Sequence, residues 1–241
     1  MSAQALREIL ATDTVEAARA LLGHILVRRG PGHLLRAGRI VETEAYTCDD
    51  PASHSFRGAT ARNRSMFCSP GAAYVYLIYG MHCCLNVVSG EEGRGEAVLI
   101  RALEPVEGLE AMREARAAAR MRRSRSAPDG RSSGNGTAGG AISGERLRTT
   151  TWLCSGPGKL CQALSIDRSF DGVDLFGDAA SLRGEASGRT DRTPDDSLVI
   201  VPDGFEPPQE IVSATRIGIR ESADLPRRFY CAESPHVSRR G

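Results

Sequence analysis

Lysine is almost absent from this chain, in which 31 of 241 residues are basic and Lys159 is the single lysine among them. Catalysis through a Schiff base needs an amine, so Lys159 and the N-terminus are the groups that could supply one. An excess of positive charge is also lacking, because the formal net charge is +1 at pH 7. The composition therefore neither requires a nucleic-acid partner nor excludes one, since a local basic stripe is enough for binding.

Several motifs of membrane, metal and nucleotide chemistry are missing as well. No stretch approaches the ~18 apolar residues of a membrane span, and the N-terminus has no basic stretch followed by an apolar run. The seven cysteines form no Cys-x-x-Cys pair, which favours free thiols in a reducing cytoplasm, and the His-x-Glu and Pro-Cys-x-x-Cys pattern of zinc nucleobase deaminases is absent. Residues 156–159 do not form a P-loop, because the four-residue spacer is missing and Leu160 stands where Ser or Thr would hold magnesium. We therefore predict a cytoplasmic protein with no membrane contact, no metal and no cofactor.

The hydrophobic content of 41% over 241 residues can bury one sizeable core, which favours a single domain over residues 1–241. Alternating apolar residues and turn signals predict strands at residues 24–29, about 33–46, 72–79, 82–88, 97–103, 197–201, 211–219 and 227–230. Capping and proline signals predict helices from Asp13 to Leu22, from Glu104 to about Ala119, and after Gly158. The short connections between residues 72 and 103 predict a meander, hence antiparallel pairing.

Residues 122–150 differ in composition from the rest of the chain, because Ser, Gly, Arg and Ala dominate them. Such a segment buries too little apolar surface to offset the entropy lost on ordering. We therefore predict a mobile insertion within the single domain rather than a domain boundary.

Aromatic residues are scarce, yet four of the five tyrosines, Tyr46, Tyr74, Tyr76 and Tyr79, fall within 34 residues. Flat rings beside a carboxylate suit an enzyme that holds a flat base and attacks the adjacent bond. Packing of tyrosines in strands around one core is the simpler explanation of the clustering. Clustering alone favours the packing interpretation, so the other residues must decide.

The predicted hairpin at residues 72–88 turns at Tyr79, whose ring should project from an edge. An exposed aromatic side chain at a hairpin tip can act as a wedge that enters a base stack, or it can cap a small surface cluster. Tyr76 should point to a different surface, where it could line a pocket. Asn86 and Arg101 lie on the next two strands. Buried amide and guanidinium groups need hydrogen-bond partners, so each of these residues is either a structural hydrogen-bonder or part of a functional site.

Glu42 and Glu44 are two residues apart on one strand, so alternation places both on the face that also carries Tyr46. Two carboxylates suggest a glycosidase mechanism, but there the acids flank the substrate from opposite sides. Neighbouring acids fit one carboxylate acting on a water molecule, with the other structural or on the surface. Glu44 is closer to Tyr46 and the following loop, and we predict that it is the catalytic group.

Seven blocks of sequence resemble, in order, the alkyladenine (3-methyladenine) DNA glycosylase family. They cover roughly residues 13–120 and 150–236 and comprise GRIVETEAY (38–46), HS (54–55), RNRSMF (62–67), YVYLIYGM (74–81), VLIRALEP (98–105), CSGPGKLCQAL (154–164) and RIGI (216–219). The resemblance implies a mixed α/β fold of the α+β type, with a curved, largely antiparallel sheet, surrounding helices and a protruding β-hairpin. The hairpin tip is then expected to enter the DNA minor groove.

The resemblance also assigns roles at a site for a flipped base. It implies that Tyr79 replaces the extruded nucleotide, that Tyr46 and Tyr76 stack on the flipped base, and that His54 lies at the base edge. Glu44 resembles the general base for the attacking water.

Further residues of this site follow from the same motifs. Arg101 resembles the residue that helps to bind the attacking water, and Asn86 the residue thought to clash with the 2-amino group of guanine. Ile217 replaces the usual valine, whose backbone carbonyl contacts the water, and Leu99 belongs to the base-binding set. Contacts to the DNA backbone are expected from Arg62, Arg64, Met81 and Lys159.

The resemblance therefore implies a base-excision repair enzyme that acts on double-stranded DNA containing damaged purines. It would hydrolyse the N-glycosidic bond of flipped 3-methyladenine and 7-methylguanine, with hypoxanthine and ethenoadenine as further candidates. The scarcity of lysine favours a monofunctional enzyme that does not cut the strand. We expect a nucleoid-associated monomer; the alternative functions are a non-catalytic binder of alkylated DNA and, less favoured, a carbohydrate-acting O-glycosidase.

Overall fold

The structure is a computed structural model that describes residues 2–125, 150–177, 196–201 and 205–240. Its helices are α1 (Ala3–Thr12), α2 (Thr14–Ala20), α3 (Leu109–Arg125), α4 (Thr151–Cys154) and α5 (Pro157–Ala163). Its strands are β1 (Ile25–Gly30), β2 (Leu34–Tyr46), β3 (Ala73–Ile78), β4 (His82–Ser89), β5 (Glu96–Glu107), β6 (Ser197–Val201), β7 (Ile211–Ala214) and β8 (Arg228–Cys231).

One antiparallel sheet organises these elements. Its strands run in the order β3-β4-β5-β2-β1-β6, and β8 pairs with both β2 and β7. Strand β2 pairs with β1 through its first half, with β8 at Glu42–Glu44, and with β5 along most of its length. Register shifts next to Gly38 and Glu42 interrupt the β2–β5 ladder, and such bulges bend a strand and increase its twist. The predicted curved, largely antiparallel sheet with surrounding helices is confirmed.

Two consecutive helices pack against the sheet at the N-terminal end of the chain. Asp13 ends α1 and also caps α2, because its carboxylate accepts hydrogen bonds from the backbone N–H groups of Val15 and Glu16. The capping signal at Asp13 is therefore confirmed, whereas α1 is a helix that the sequence analysis missed. Leu6 and Leu10 of α1 lie one turn apart and are buried, which fixes this helix on the core.

The predicted helix start at Glu104 is wrong, because β5 continues to Glu107 and α3 begins at Leu109. Pro105 pairs with Gly38 next to a register shift, a place where a strand tolerates a residue without an N–H group. The turn between strand and helix occurs at Gly108, whose φ is +76°. A side chain there would clash with the backbone carbonyl oxygen of Leu35. Helix α3 therefore begins only after Gly108.

Two further boundaries differ from the sequence predictions. Strand β7 ends at Ala214 instead of residue 219, because the chain leaves the sheet and brings the backbone of Ile217 to Glu44. Helix α3 continues through Arg125, so residues 122–125 do not belong to the predicted insertion. The rest of that segment, residues 126–149, lies outside the described residues.

Candidate active site

The β3–β4 hairpin presents an exposed tip formed by Tyr79, Gly80 and Met81. The side chain of Tyr79 is 83% exposed and that of Met81 is 54% exposed. Tyr79 and Gly80 both have positive φ angles, +52° and +70°, which is the backbone of a tight two-residue turn. The turn points the Tyr79 ring outward, as the sequence analysis predicted.

A cavity of about 300 Å³ lies beside this tip. Every residue that the sequence analysis assigned to the base, and also Arg101 and Tyr79, contributes to its wall; the lining residues are Tyr46, Ala52, His54, Met66, Tyr74, Tyr76, Ile78, Tyr79, Cys84, Asn86, Leu99, Arg101, Pro157, Ile217, Gly218 and Ile219. Its size is at the lower end of the range for small-molecule sites. Its aromatic walls and few polar groups suit a single flat heterocycle.

Glu44 lies directly behind the cavity wall. Its side chain is fully buried and is not among the lining groups, but three lining residues hold its carboxylate. The Tyr46 hydroxyl donates to Oε2 at 2.9 Å and Arg101 Nη1 lies 3.2 Å from the same oxygen. The backbone N–H of Ile217 donates to Oε1 at 2.7 Å. The carboxylate is thus fixed at the junction of β2, β5 and the 215–219 segment.

The environment of Glu44 makes it a stronger base than a free glutamate. Burial raises its pKa, and this effect outweighs the stabilisation of the charged form by Arg101, the Ile217 N–H group and the Tyr46 hydroxyl. The nearby Glu42 adds a smaller increase. A carboxylate in this position can accept a proton more readily than one in water.

Glu42 has a structural role. The sequence analysis left two roles open for the second carboxylate, a structural one and a position on the surface. Its side chain is fully buried away from the surface. It accepts hydrogen bonds from Arg101 Nε at 3.2 Å, from Arg228 Nη1 at 3.0 Å and from the Ser238 N–H group at 2.6 Å. Glu42 and Glu44 together hold Arg101 from two sides, and against the effect of burial they keep its pKa above the ordinary value.

His54 contacts two of the tyrosine rings in the cavity wall. Its Nδ1 atom is 2.9 Å from the Tyr74 hydroxyl, and its ring makes edge contacts with Tyr74 and Tyr76, with centroids 6.1 and 4.5 Å apart. Burial, together with the charge of Arg62, lowers the pKa of His54. The imidazole is therefore neutral at pH 7, which suits a wall that faces a cationic ligand.

Two tyrosine rings of the cavity are backed by other side chains. Tyr76 stacks on Tyr74 with centroids 5.3 Å apart. Tyr46 carries the guanidinium of Arg216 over its ring at 4.6 Å. Arg216 is itself fully buried and forms an ion pair with Asp50 and a 3.0 Å hydrogen bond to the carbonyl oxygen of Ala45. Both rings are thus held in place from behind.

Sequence reasoning missed Arg216, Asp50 and Tyr74 as members of this site. Arg216 opens the RIGI block and Tyr74 the YVYLIYGM block, so position in a matching motif was the available signal. Asn86 was predicted correctly to need a partner, because its side-chain amide donates to the carbonyl oxygen of Tyr74 at 3.0 Å.

The four residues predicted to contact the DNA backbone do not form one cluster. Arg62 is exposed and donates to the carbonyl oxygen of Leu77 near the hairpin tip, where Met81 also lies. Arg64 is exposed in the loop before β3. Lys159 is exposed on α5 and lines a second cavity.

Within the described part of the chain, no cluster of three His, Cys, Asp or Glu side chains could hold a metal ion. No helix among the same residues is long and apolar enough to cross a bilayer.

Comparisons with known proteins agree with this geometry. The family model for methylpurine-DNA glycosylase matches residues 8–235. Human DNA-3-methyladenine glycosylase is 43% identical over 237 residues, which cover 96% of this chain and 66% of the human protein. A protein of Methanoculleus marisnigri, provisionally named 3-methyladenine DNA glycosylase, is 44% identical over 228 residues, covering 95% of both chains. The match extends over nearly the whole chain at an identity well above the level of chance, so this protein belongs to the methylpurine-DNA glycosylase family.

Proposed function

We propose that this protein releases alkylated purines, 3-methyladenine and 7-methylguanine first among them, from double-stranded DNA by water attack on the N-glycosidic bond. One observation carries the proposal: the buried carboxylate of Glu44 is held by three groups that line an aromatic cavity beside an exposed tyrosine. Family membership supports glycosylase activity on DNA. The lesion, the flipping step and the chemistry described below are our inference.

Base extrusion is the first step of the proposal. Removing a nucleotide from the duplex costs a few kcal/mol and is cheapest at damaged sites. The exposed ring of Tyr79 offsets part of this cost by occupying the space that the nucleotide leaves. The flipped base then enters the adjacent cavity, where Tyr46 and Tyr76 are available for stacking. A ring stacked on a cationic purine gains about 0.5–2 kcal/mol from cation–π attraction, which favours alkylated over undamaged bases.

Glu44 is proposed to hold the attacking water. A carboxylate offers about four acceptor positions, of which the Tyr46 hydroxyl, Arg101 and the Ile217 N–H group use three. The remaining position is on Oε1, next to the backbone of Ile217. Water held there attacks the sugar C1′ atom, the C1′–N bond breaks with its electron pair going to the purine, and Glu44 takes the proton from the water. An alkylated purine is cationic and leaves as a neutral base, so no acid is needed on the leaving-group side.

The structure supports a monofunctional mechanism through the position of Lys159. Its ammonium group contacts the Ser155 hydroxyl at 3.2 Å and lines the second cavity. Lys159 does not line the first cavity, whose wall includes Arg101 and Ile217. The one lysine of the chain is therefore not positioned for attack on the sugar of a base bound there.

A non-catalytic binder of alkylated DNA is the second candidate. Such a binder needs the cavity but does not need the buried carboxylate of Glu44. Mass spectrometry of free bases released from alkylated, deaminated and etheno-adducted duplexes tests the choice. We expect release of 3-methyladenine and 7-methylguanine by the wild-type protein. Tight binding of the alkylated duplex without any released base would refute the enzymatic proposal and favour the binder.

A further inference from the structure

A second cavity, of about 420 Å³, lies next to the first one. It is formed by α3, the beginning of β4 and α5, and its lining includes His82, Arg116, Arg120, Pro157, Lys159 and Gln162. Pro157 lines both cavities. His82 follows the hairpin tip directly and pairs with Ile78. The second cavity is therefore a neighbour of both the tip and the base-sized cavity.

The walls of this second cavity carry positive charge without compensation. Arg116, Arg120 and Lys159 line it, and no Asp or Glu occurs among its lining residues in the described structure. Arg120 and Lys159 are exposed, whereas Arg116 is only 9% exposed. The three cations belong to two different helices and converge on one space.

Arg116 is held rigidly in the wall. Its guanidinium lies over the Trp152 ring at 5.4 Å, and its Nη1 atom donates to the Gln162 side chain at 3.0 Å. The amide of Gln162 is in turn 3.1 Å from His82 Nδ1. The buried Nε atom of Arg116 has no hydrogen-bond partner among the described residues. The guanidinium of Arg116 is thus fixed by Trp152 and Gln162 where it lines the cavity.

The three cations destabilise one another. Burial and the charge of Arg120 lower the pKa of Arg116, and burial and the charge of Arg116 lower the pKa of Lys159. Like charges grouped around a buried guanidinium are unfavourable until an anion neutralises them. The cavity therefore has the charge and the donors of an anion site.

We propose that this second cavity binds one backbone phosphate of the DNA strand that carries the damaged nucleotide. The assignment rests on the proposed function and extends it to Arg116, Arg120 and the Gln162–His82 pair. Position favours a DNA phosphate over a free anion, because the site adjoins both the exposed tip and the base-sized cavity. Each strand of the duplex carries one phosphate per ~3.4 Å of helix axis. A phosphate fixed at this point would hold the backbone about which the flipped nucleotide rotates.

The test compares Arg120→Gln with Arg19→Gln. Both remove one charge from a helix, but Arg19 lies on α2 over the Phe229 ring and lines neither cavity. Affinity is measured for a lesion duplex with a 2′-fluoro sugar, which resists hydrolysis, over a range of salt concentrations. For Arg120→Gln we expect a Kd about 3- to 10-fold higher near 0.1 M salt and a salt slope lower by ~0.9. Lys159→Gln is a second variant with the same expectation, and Arg19→Gln should match the wild type.

Replacing single phosphates by neutral methylphosphonates locates the contact. One position next to the lesion should weaken binding to the wild type and have no further effect on Arg120→Gln. Absence of such a coupled position, or affinities of Arg120→Gln equal to those of Arg19→Gln, overturns the assignment. Binding of inorganic phosphate to the wild type but not to Arg120→Gln, without a coupled position in DNA, shows that the cavity takes a free anion instead. In either case base release by the wild type leaves the proposed function standing, whereas its absence refutes that function separately.

Discussion

At the scale of single residues, the environment of Glu44 sets the chemistry. The same three donors that position the carboxylate also favour its charged form, while burial opposes that form more strongly. Glu44 is therefore expected to ionise at a higher pH than a glutamate in water, whose pKa is ~4.3. A general base works only when ionised, so protonation as the pH falls removes its function.

This shift predicts the acid limb of the pH–rate profile. Single-turnover base release should rise with pH and level off, with a midpoint above the ~4.3 of an ordinary glutamate. The rate is measured at saturating enzyme on a 7-methylguanine duplex. His54 also titrates below its ordinary pKa, so His54→Gln is the matched control and should keep the limb. A rate that is independent of pH through this range contradicts a catalytic role for the ionised Glu44.

Arg216 provides a second prediction at this scale. Its guanidinium is fully buried against Asp50 and lies over the Tyr46 ring. Arg216→Met leaves a buried carboxylate with Arg227 at 3.3 Å as its remaining arginine, and breaking a buried pair costs about 3–5 kcal/mol. We expect thermal unfolding to show a loss of about 3 kcal/mol. The double variant Asp50→Asn/Arg216→Met should recover part of that loss; an additive or larger loss would show that the ion pair is not the cause.

At the scale of elements, the β3–β4 hairpin places Tyr79, the proposed wedge, and part of the cavity wall on one rigid unit. The ladder from Ala73–Val87 to Ile78–His82 is unbroken, so the hairpin fixes Tyr76 in the cavity wall relative to the exposed Tyr79 at the tip, which also borders the cavity. The two rings are three residues apart and the strand ends between them, so the Tyr79 ring is exposed while the Tyr76 ring is partly buried. In the proposed function, the hairpin would therefore couple insertion of Tyr79 to the position of the cavity that receives the base.

Removal of the wedge should impair the enzyme more on duplex than on single-stranded substrate. Tyr79→Ser changes an exposed side chain, so we expect folding to be unaffected. The single-turnover rate or affinity on a lesion duplex should fall about 10-fold, which corresponds to ~1.4 kcal/mol and is part of the unstacking cost of a few kcal/mol. A lesion in single-stranded DNA should be affected less, and Tyr79→Phe should behave like the wild type. Equal losses on both substrates would mean that Tyr79 does not act on the stack.

Local signals in the sequence predicted the strands and the hairpin well, and the family motifs predicted the lining of the cavity. Long-range contacts were not predictable in the same way. The partners of Glu42 include Arg228 and Ser238, almost two hundred residues away, and no periodicity reveals them. The end of β5 was misjudged because Glu104-Pro105 matches a helix start, while its pairing with β2 depends on a bulge at Gly38. Tertiary contacts decided these cases against the local preference.

At the scale of the whole molecule, the scarcity of lysine limits the chemistry that the enzyme can perform. One lysine occurs in 241 residues, and it lines the second cavity rather than the first. A reaction that cuts the strand through a Schiff base would need that amine or the N-terminus at the sugar. The arrangement favours hydrolysis alone.

Borohydride trapping tests whether the enzyme forms a Schiff base with the sugar. Incubation with a lesion duplex and borohydride should give no covalent protein–DNA adduct, while abasic sites accumulate at the lesion. A lyase that is known to form a Schiff base serves as the positive control in the same assay. An adduct that disappears in Lys159→Arg would show that this lysine reaches the sugar, and the monofunctional mechanism would then be wrong.

The most direct measurement of the central claim compares wild-type protein with Glu44→Gln on one alkylated duplex. The substitution keeps the size of the side chain and removes its basicity, and general-base catalysis contributes about 10²–10⁴-fold. We predict that base release measured by mass spectrometry falls by at least about 10²-fold, while the Kd for the duplex stays within a few-fold of the wild type. Base release by Glu44→Gln at the wild-type rate, with the same affinity, would contradict the assignment of Glu44 as the catalytic base.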